Sequence, residues 1–85
     1  MINREEIVEL HGDDTLFADG FDDAIIGVAV GFDSGRVIYS VKKMIEILFK
    51  DAGMPVDEAY EYLEFNTFGA YVGKLTPIYM ETISF

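Results

Sequence analysis

The chain predicts an α+β fold, a two-layer sandwich in which two helices pack on one face of a three-stranded antiparallel sheet. Three observations carry that prediction. Two β-branched runs, AIIGVAVGF and RVIYSV, flank an Asp-Ser-Gly turn and so make a hairpin over about residues 24–40. In VKKMIEILFKDAG the apolar residues recur at helical spacing, and a second helical stretch follows Pro55. The tail TPIYMETISF alternates again and reads as a last strand over about 77–83, returning beside the hairpin.

Taken in order, NREEIVELHG is a short helix over about residues 4–10. Asn3 is its cap, Glu5 and Glu6 lie in the first turn where the helix dipole favours anions, and Gly12 is its terminator. So short a helix must dock to persist, and Ile7, Val8 and Leu10 are the side chains expected to do so. Residues 11–23 mix glycine and aspartate with Leu16, Phe17 and Phe21, the pattern of an ordered loop pinned by three apolar anchors. In the first strand Ile25, Ile26, Val28, Ala29 and Val30 run almost without a polar break, which predicts a central or covered strand, and Gly27 marks a bulge or a close backbone approach. Ser40 caps the helix over about 41–52, whose core stripe is Val41, Met44, Ile45, Leu48 and Phe49 and whose stop is Gly53. The next helix spans about 55–68, with Pro55 in its first turn and Val56, Ala59, Tyr60, Leu63 and Thr67 on one face.

Eighty-five residues are expected to form one domain, 1–85, near the size where a single core is marginal. Cysteine is absent, which removes disulfides, thiolate catalysis and cysteine-held zinc. No apolar run approaches the ~20 residues of a membrane helix, and the N-terminus lacks the basic start of a signal peptide, so a cytoplasmic location is expected. Sixteen acids against six bases give a formal charge of −10, which opposes direct binding to nucleic acid or anionic membranes and favours basic surfaces. The acid is concentrated: Glu5, Glu6, Glu9, Asp13, Asp14, Asp19, Asp22 and Asp23 are half of it.

The chemistry suggested by that block is weak. A calcium loop of the EF-hand type needs oxygen ligands at alternate positions and a glutamate at its twelfth, whereas Leu16 and Phe17 occupy ligand positions in DDTLFADGFDD. His11 with Asp13 and Asp14 is the one starting point for a metal-dependent hydrolase, yet the chain has a single histidine. No metal, cofactor or catalytic residue is therefore expected, and the protein is read as a non-enzyme. The aromatic surplus is more informative: Tyr60, Tyr62, Phe65, Phe68 and Tyr71 cannot all face one core stripe, and Tyr62 or Phe65 beside Glu61 and Glu64 makes an acidic-aromatic contact patch, or a homodimer seam.

Three phrases, ADGFDDAIIGV, MIEILFKDAGMPVDEAYEYLEFN and GAYVGKLTPIY, together covering about residues 18–80, resemble a group of small acidic proteins encoded by tailed bacteriophages and prophages. The characteristic positions of that group are here Asp19, Gly20, Phe21, Asp22, Asp23, Phe65, Asn66, Gly69, Tyr71, Gly73 and Pro77. Pro55 replaces an expected serine cap and Lys74 an acid that such proteins often carry. The resemblance implies phage origin and the cytoplasm of an infected bacterium, and it brings no catalytic residues.

The function expected from these readings is that of a phage accessory protein, active in host takeover or against host defence, that binds a basic surface on a host nuclease, polymerase or defence complex. Asp13, Asp14, Asp19, Asp22, Asp23, Tyr62 and Phe65 are the expected contact residues. The alternatives are a nucleotide-binding sponge, which requires Arg36, Lys42 and Lys43 to converge on a phosphate, and the hydrolase centred on His11.

Overall fold

The computed structural model describes residues 3–83. Helix α1 (Arg4–His11) opens on Asn3, whose side-chain oxygen accepts from the Glu6 backbone N–H at 2.9 Å, and it closes on Gly12 at φ +97°. A loop and a 3-10 turn at Asp22–Ala24 lead into β1 (Ile25–Val28), and a second 3-10 turn at Gly31–Asp33 leads into β2 (Val37–Ser40). Helices α2 (Val41–Ala52) and α3 (Val56–Leu63) follow, and α3 runs on as a π-helical turn over Glu64–Phe68 before β3 (Ile78–Met80). The architecture is α+β, with one three-stranded sheet in the order β1-β2-β3.

The hairpin forms where its turn chemistry demands. Val28 pairs with Val37 and Gly27 with Ile38, the register slips between Ile25 and Gly27 as a bulge, and Gly35 supplies the positive φ of +90° at the turn. The third strand departs from the antiparallel expectation, because β3 pairs with β2 in parallel, Ile38 opposite Ile78 and Ser40 opposite Met80. Two helices intervene between β2 and β3, and that long crossover is what lets a strand return in the same direction. A second departure follows from the order of the strands: β2 is central, with Val37 and Tyr39 both fully buried, while β1 is an edge whose residues beyond Ile25 are half-exposed. The near-continuous apolar run of 25–30 therefore reflects an irregular edge with a bulge, not a doubly covered strand.

Helix α2 matches its sequence signals at both ends. Ser40 Oγ accepts from the Lys43 N–H at 3.2 Å, and Gly53 takes the left-handed conformation, φ +66°, while its N–H and that of Met54 return to Phe49 and Leu48 carbonyls. Val41, Met44 and Leu48 are buried, but Phe49, expected on the same stripe, is 59% exposed. The buried stripe is narrower than the apolar pattern, since α2 is overlaid by α3 and the 3-10 turn at 22–24 and none of the described residues covers its Phe49 flank. Val56 of α3 and Leu10 of α1 are exposed for the same reason, leaving Ala59 and Leu63, and Ile7, as the residues that dock those helices. Tyr39, Tyr79, Phe68 and Tyr60 form a chain of rings with centroid separations of 5.9, 5.0 and 6.1 Å, tying β2, β3 and the end of α3 together.

Candidate acidic-aromatic interface

The loop of residues 12–24 is held from below and from the side. Phe21 and Thr15 are buried, Leu16 and Phe17 half-buried, and the hydroxyl of Thr15 donates to the Gly12 carbonyl at 2.9 Å. A tie that the sequence did not disclose comes from the sheet: the Ala18 N–H donates to the phenol oxygen of Tyr39 at 2.7 Å. The central strand thus grips the loop at the residue before Asp19.

On the outer side Arg4 of α1 clamps the aspartates. Its Nε lies 2.7 and 2.9 Å from the two carboxylate oxygens of Asp22, its Nη2 lies 3.1 Å from Asp19 Oδ1, and its guanidinium sits 4.7 Å from the centre of the Phe17 ring. The Asp22 hydrogen bond, aided by Asp19, holds the guanidinium above its usual pKa, so the clamp keeps its charge throughout the working pH range. Because these groups stay in contact with solvent, Arg4→Gln is expected to cost no more than about 1 kcal/mol in denaturant melts. It should nevertheless speed amide hydrogen exchange at residues 16–22, since it releases both α1 and the loop.

All five aspartates expected as contact residues are exposed, but they do not form one cluster. Asp13 and Asp14 stand in the turn after α1. Asp22 and Asp23 border a cleft of about 500 Å³ facing Lys43 and Lys50 of α2, with Glu46 and Asp51 beside them. Asp19 belongs to another depression, of about 440 Å³, which it shares with Tyr62 of α3 and with Phe17, Asn66, Val72 and Tyr79. Phe65, on the π-helical turn, is 80% exposed. The structure therefore places Asp19 and Tyr62 on one depression, and Asp22 and Asp23 on another that two lysines and two further acids share.

The π-helical turn has a visible local cause. The side-chain amide of Asn66 donates to the Tyr62 carbonyl at 2.9 Å, satisfying an acceptor at the end of α3 where the regular ladder has widened. Beyond it, Thr76 closes the following loop: its hydroxyl donates to Gly73 O at 2.6 Å and accepts from the Val72 N–H at 3.0 Å. Asn66 is among the characteristic positions of the resemblance, and its amide serves the helix-end backbone as a short polar side chain there can, whereas Thr76 carried no signal in the sequence beyond being short and polar.

The other two sequence readings meet specific geometry. Arg36, Lys42 and Lys43 do not converge. The Arg36 guanidinium is spent on the Thr76 carbonyl at 2.6 Å and on Asp33 at 2.8 Å, in a groove lined by Tyr60, Tyr71 and Tyr79, whereas Lys42 and Lys43 border two different depressions on α2. His11 is exposed at the end of α1, and among the described residues no three His, Asp or Glu side chains come together as a metal centre requires. Among the described residues no helix is long and apolar enough to cross a membrane. No protein-family model, no curated protein and no solved structure matches the chain.

Proposed function

We propose that the protein is a non-enzymatic accessory protein, of phage origin as its resemblance implies, that binds a basic surface of a host protein and masks it. The single observation that carries this reading is the rigid display of exposed aspartates: the 12–24 loop is fastened to the central strand through Tyr39 and to α1 through Arg4, while Asp13, Asp14, Asp19 and Asp23 keep their carboxylates at the surface. A fixed array of like charge loses little entropy on binding and raises the association rate with a positive partner. With −10 on 85 residues, the whole-molecule field has the same sign as the loop. A host nuclease, polymerase or defence complex offers such a positive surface where it would otherwise hold nucleic acid.

The test is affinity capture from bacterial lysate at low and high salt, using the wild type and a variant carrying Asp19→Asn, Asp22→Asn and Asp23→Asn. A partner retained at low salt, released at high salt and lost by the variant supports the reading. Capture that ignores both salt and the three substitutions refutes it.

A further inference from the structure

Four of the seven residues expected to make contact line two depressions, Asp22 and Asp23 one and Asp19 and Tyr62 the other, and only the second has the composition of a recognition groove. The cleft at Asp22 and Asp23 is lined mainly by charge of both signs, four carboxylates and two lysines, with Ile47 its one large apolar residue. The groove between the loop and the end of α3 is different. Phe17, Tyr62, Ala70, Val72 and Tyr79 line it, and Asp19 is the one charged residue on its wall among the described residues. Tyr62 and Val72 are 41% and 62% exposed, so apolar area stands open to water beside a carboxylate whose side chain is 95% exposed. A volume of about 440 Å³ admits a few side chains of a strand-like segment and no folded surface.

The loop also shows which cation it accepts. Arg4 is received by two carboxylates, its Nε astride the two oxygens of Asp22 and its Nη2 on Asp19, with the central carbon of its guanidinium 4.7 Å from the centre of the Phe17 ring. A lysine ammonium has neither that fixed planar spread of donors nor a flat face to lay on a ring. Asp19 gives only Oδ1 to Arg4, at 3.1 Å, and its exposed carboxylate lines the groove with its other oxygen unshared by Arg4.

We propose that this groove receives an arginine-bearing, otherwise apolar peptide segment of a partner protein, its guanidinium on Asp19 and its apolar side chains against Tyr62 and Val72. The proposal rests on the reading of the protein as a binder of basic surfaces and names the element of such a surface that it grips. Charge selects this occupant over a second copy of the chain. Two copies would bring −10 against −10, and of the chain's two arginines Arg4 is held by Asp22 and Arg36 by Asp33 and Thr76. Asn66 and the π-helical turn fix the Tyr62 side of the groove, an irregular helical geometry often found where proteins bind.

The probe is the acetylated, amidated tetrapeptide Leu-Arg-Phe-Leu, titrated into isotopically labelled protein and followed by amide and methyl NMR. Its lysine and glutamate counterparts serve as controls. Shifts confined to Phe17, Ala18, Asp19, Tyr62, Asn66 and Val72 are expected. Asp19→Asn and Tyr62→Ala, both at exposed positions that leave the spectrum folded, should each weaken binding by about tenfold. The lysine peptide should bind several-fold more weakly and the glutamate peptide not at all. Absence of shifts at millimolar peptide, shifts centred on the Asp22–Lys43 cleft, equal affinity for arginine and lysine, or self-association through the groove would each overturn the proposal. If salt-sensitive capture persists while the groove fails these tests, the groove assignment alone falls. If capture fails while the peptide binds at Asp19, the masking function falls and the groove stands.

Discussion

Replacing Tyr39 with alanine is expected to remove about 3–5 kcal/mol of stability, much of what a domain of this length possesses. Tyr39 is fully buried on the central strand, its ring lies 5.9 Å from that of Tyr79, and its hydroxyl oxygen is the acceptor for Ala18. Tyr39→Phe separates these roles. It keeps the ring and leaves a half-buried backbone N–H without its partner, at a cost of about 1–2 kcal/mol in urea melts. The phenylalanine variant should remain folded yet show faster amide exchange at residues 16–19 and weaker partner binding, because the aspartates are then less firmly placed. Burial also holds the Tyr39 phenol above its ordinary pKa of 10.0, against a smaller opposite push from the Ala18 N–H, and burial does the same for Tyr79. A phenol whose pKa is raised in the fold contributes stability that is fully present below pH 10 and is lost as pH climbs through the folded value. Ultraviolet titration of the tyrosines should accordingly show a late-ionising fraction whose ionisation coincides with alkaline unfolding.

Leu63→Ala should be of similar size, about 2–5 kcal/mol, since Leu63 is fully buried where α3 ends and the π-helical turn begins. Its loss frees the helix that carries Tyr60 and Tyr62. Phe65→Ala, only two residues on, should change stability by no more than about 0.5 kcal/mol, because that ring is 80% exposed. Thermal melts of the pair therefore separate the residue that holds the groove from an aromatic that costs nothing to remove. Any loss of partner binding by Phe65→Ala would place it in the interface directly.

The contrast between these two positions shows what the sequence could express. Helix α2 was legible end to end, since Ser40, Gly53 and the spacing of Val41, Met44 and Leu48 are local signals that tertiary contacts reinforced. The hairpin was legible from Asp-Ser-Gly for the same reason. Strand direction was not, because whether β3 runs with or against β2 depends on how two helices cross the sheet and not on any residue within IYM. Phe49 and Leu10 misled in the opposite way: apolar periodicity states which side chains can be buried, and neighbouring elements decide which are. In the candidate interface the acidic loop and Tyr62 were visible as composition. The Tyr39–Ala18 tie and the Arg4 clamp join residues 21 and 18 apart in the chain, and no spacing rule connects them.

The central claim, that a firmly held acidic face meets a basic partner, is tested most directly by the salt dependence of the association rate with the captured host protein. Stopped-flow rates should fall steeply as salt rises for the wild type. For the variant neutralised at Asp19, Asp22 and Asp23 they should be about tenfold lower at low salt and nearly flat. Equal rates with equal salt slopes for the two proteins would contradict the account.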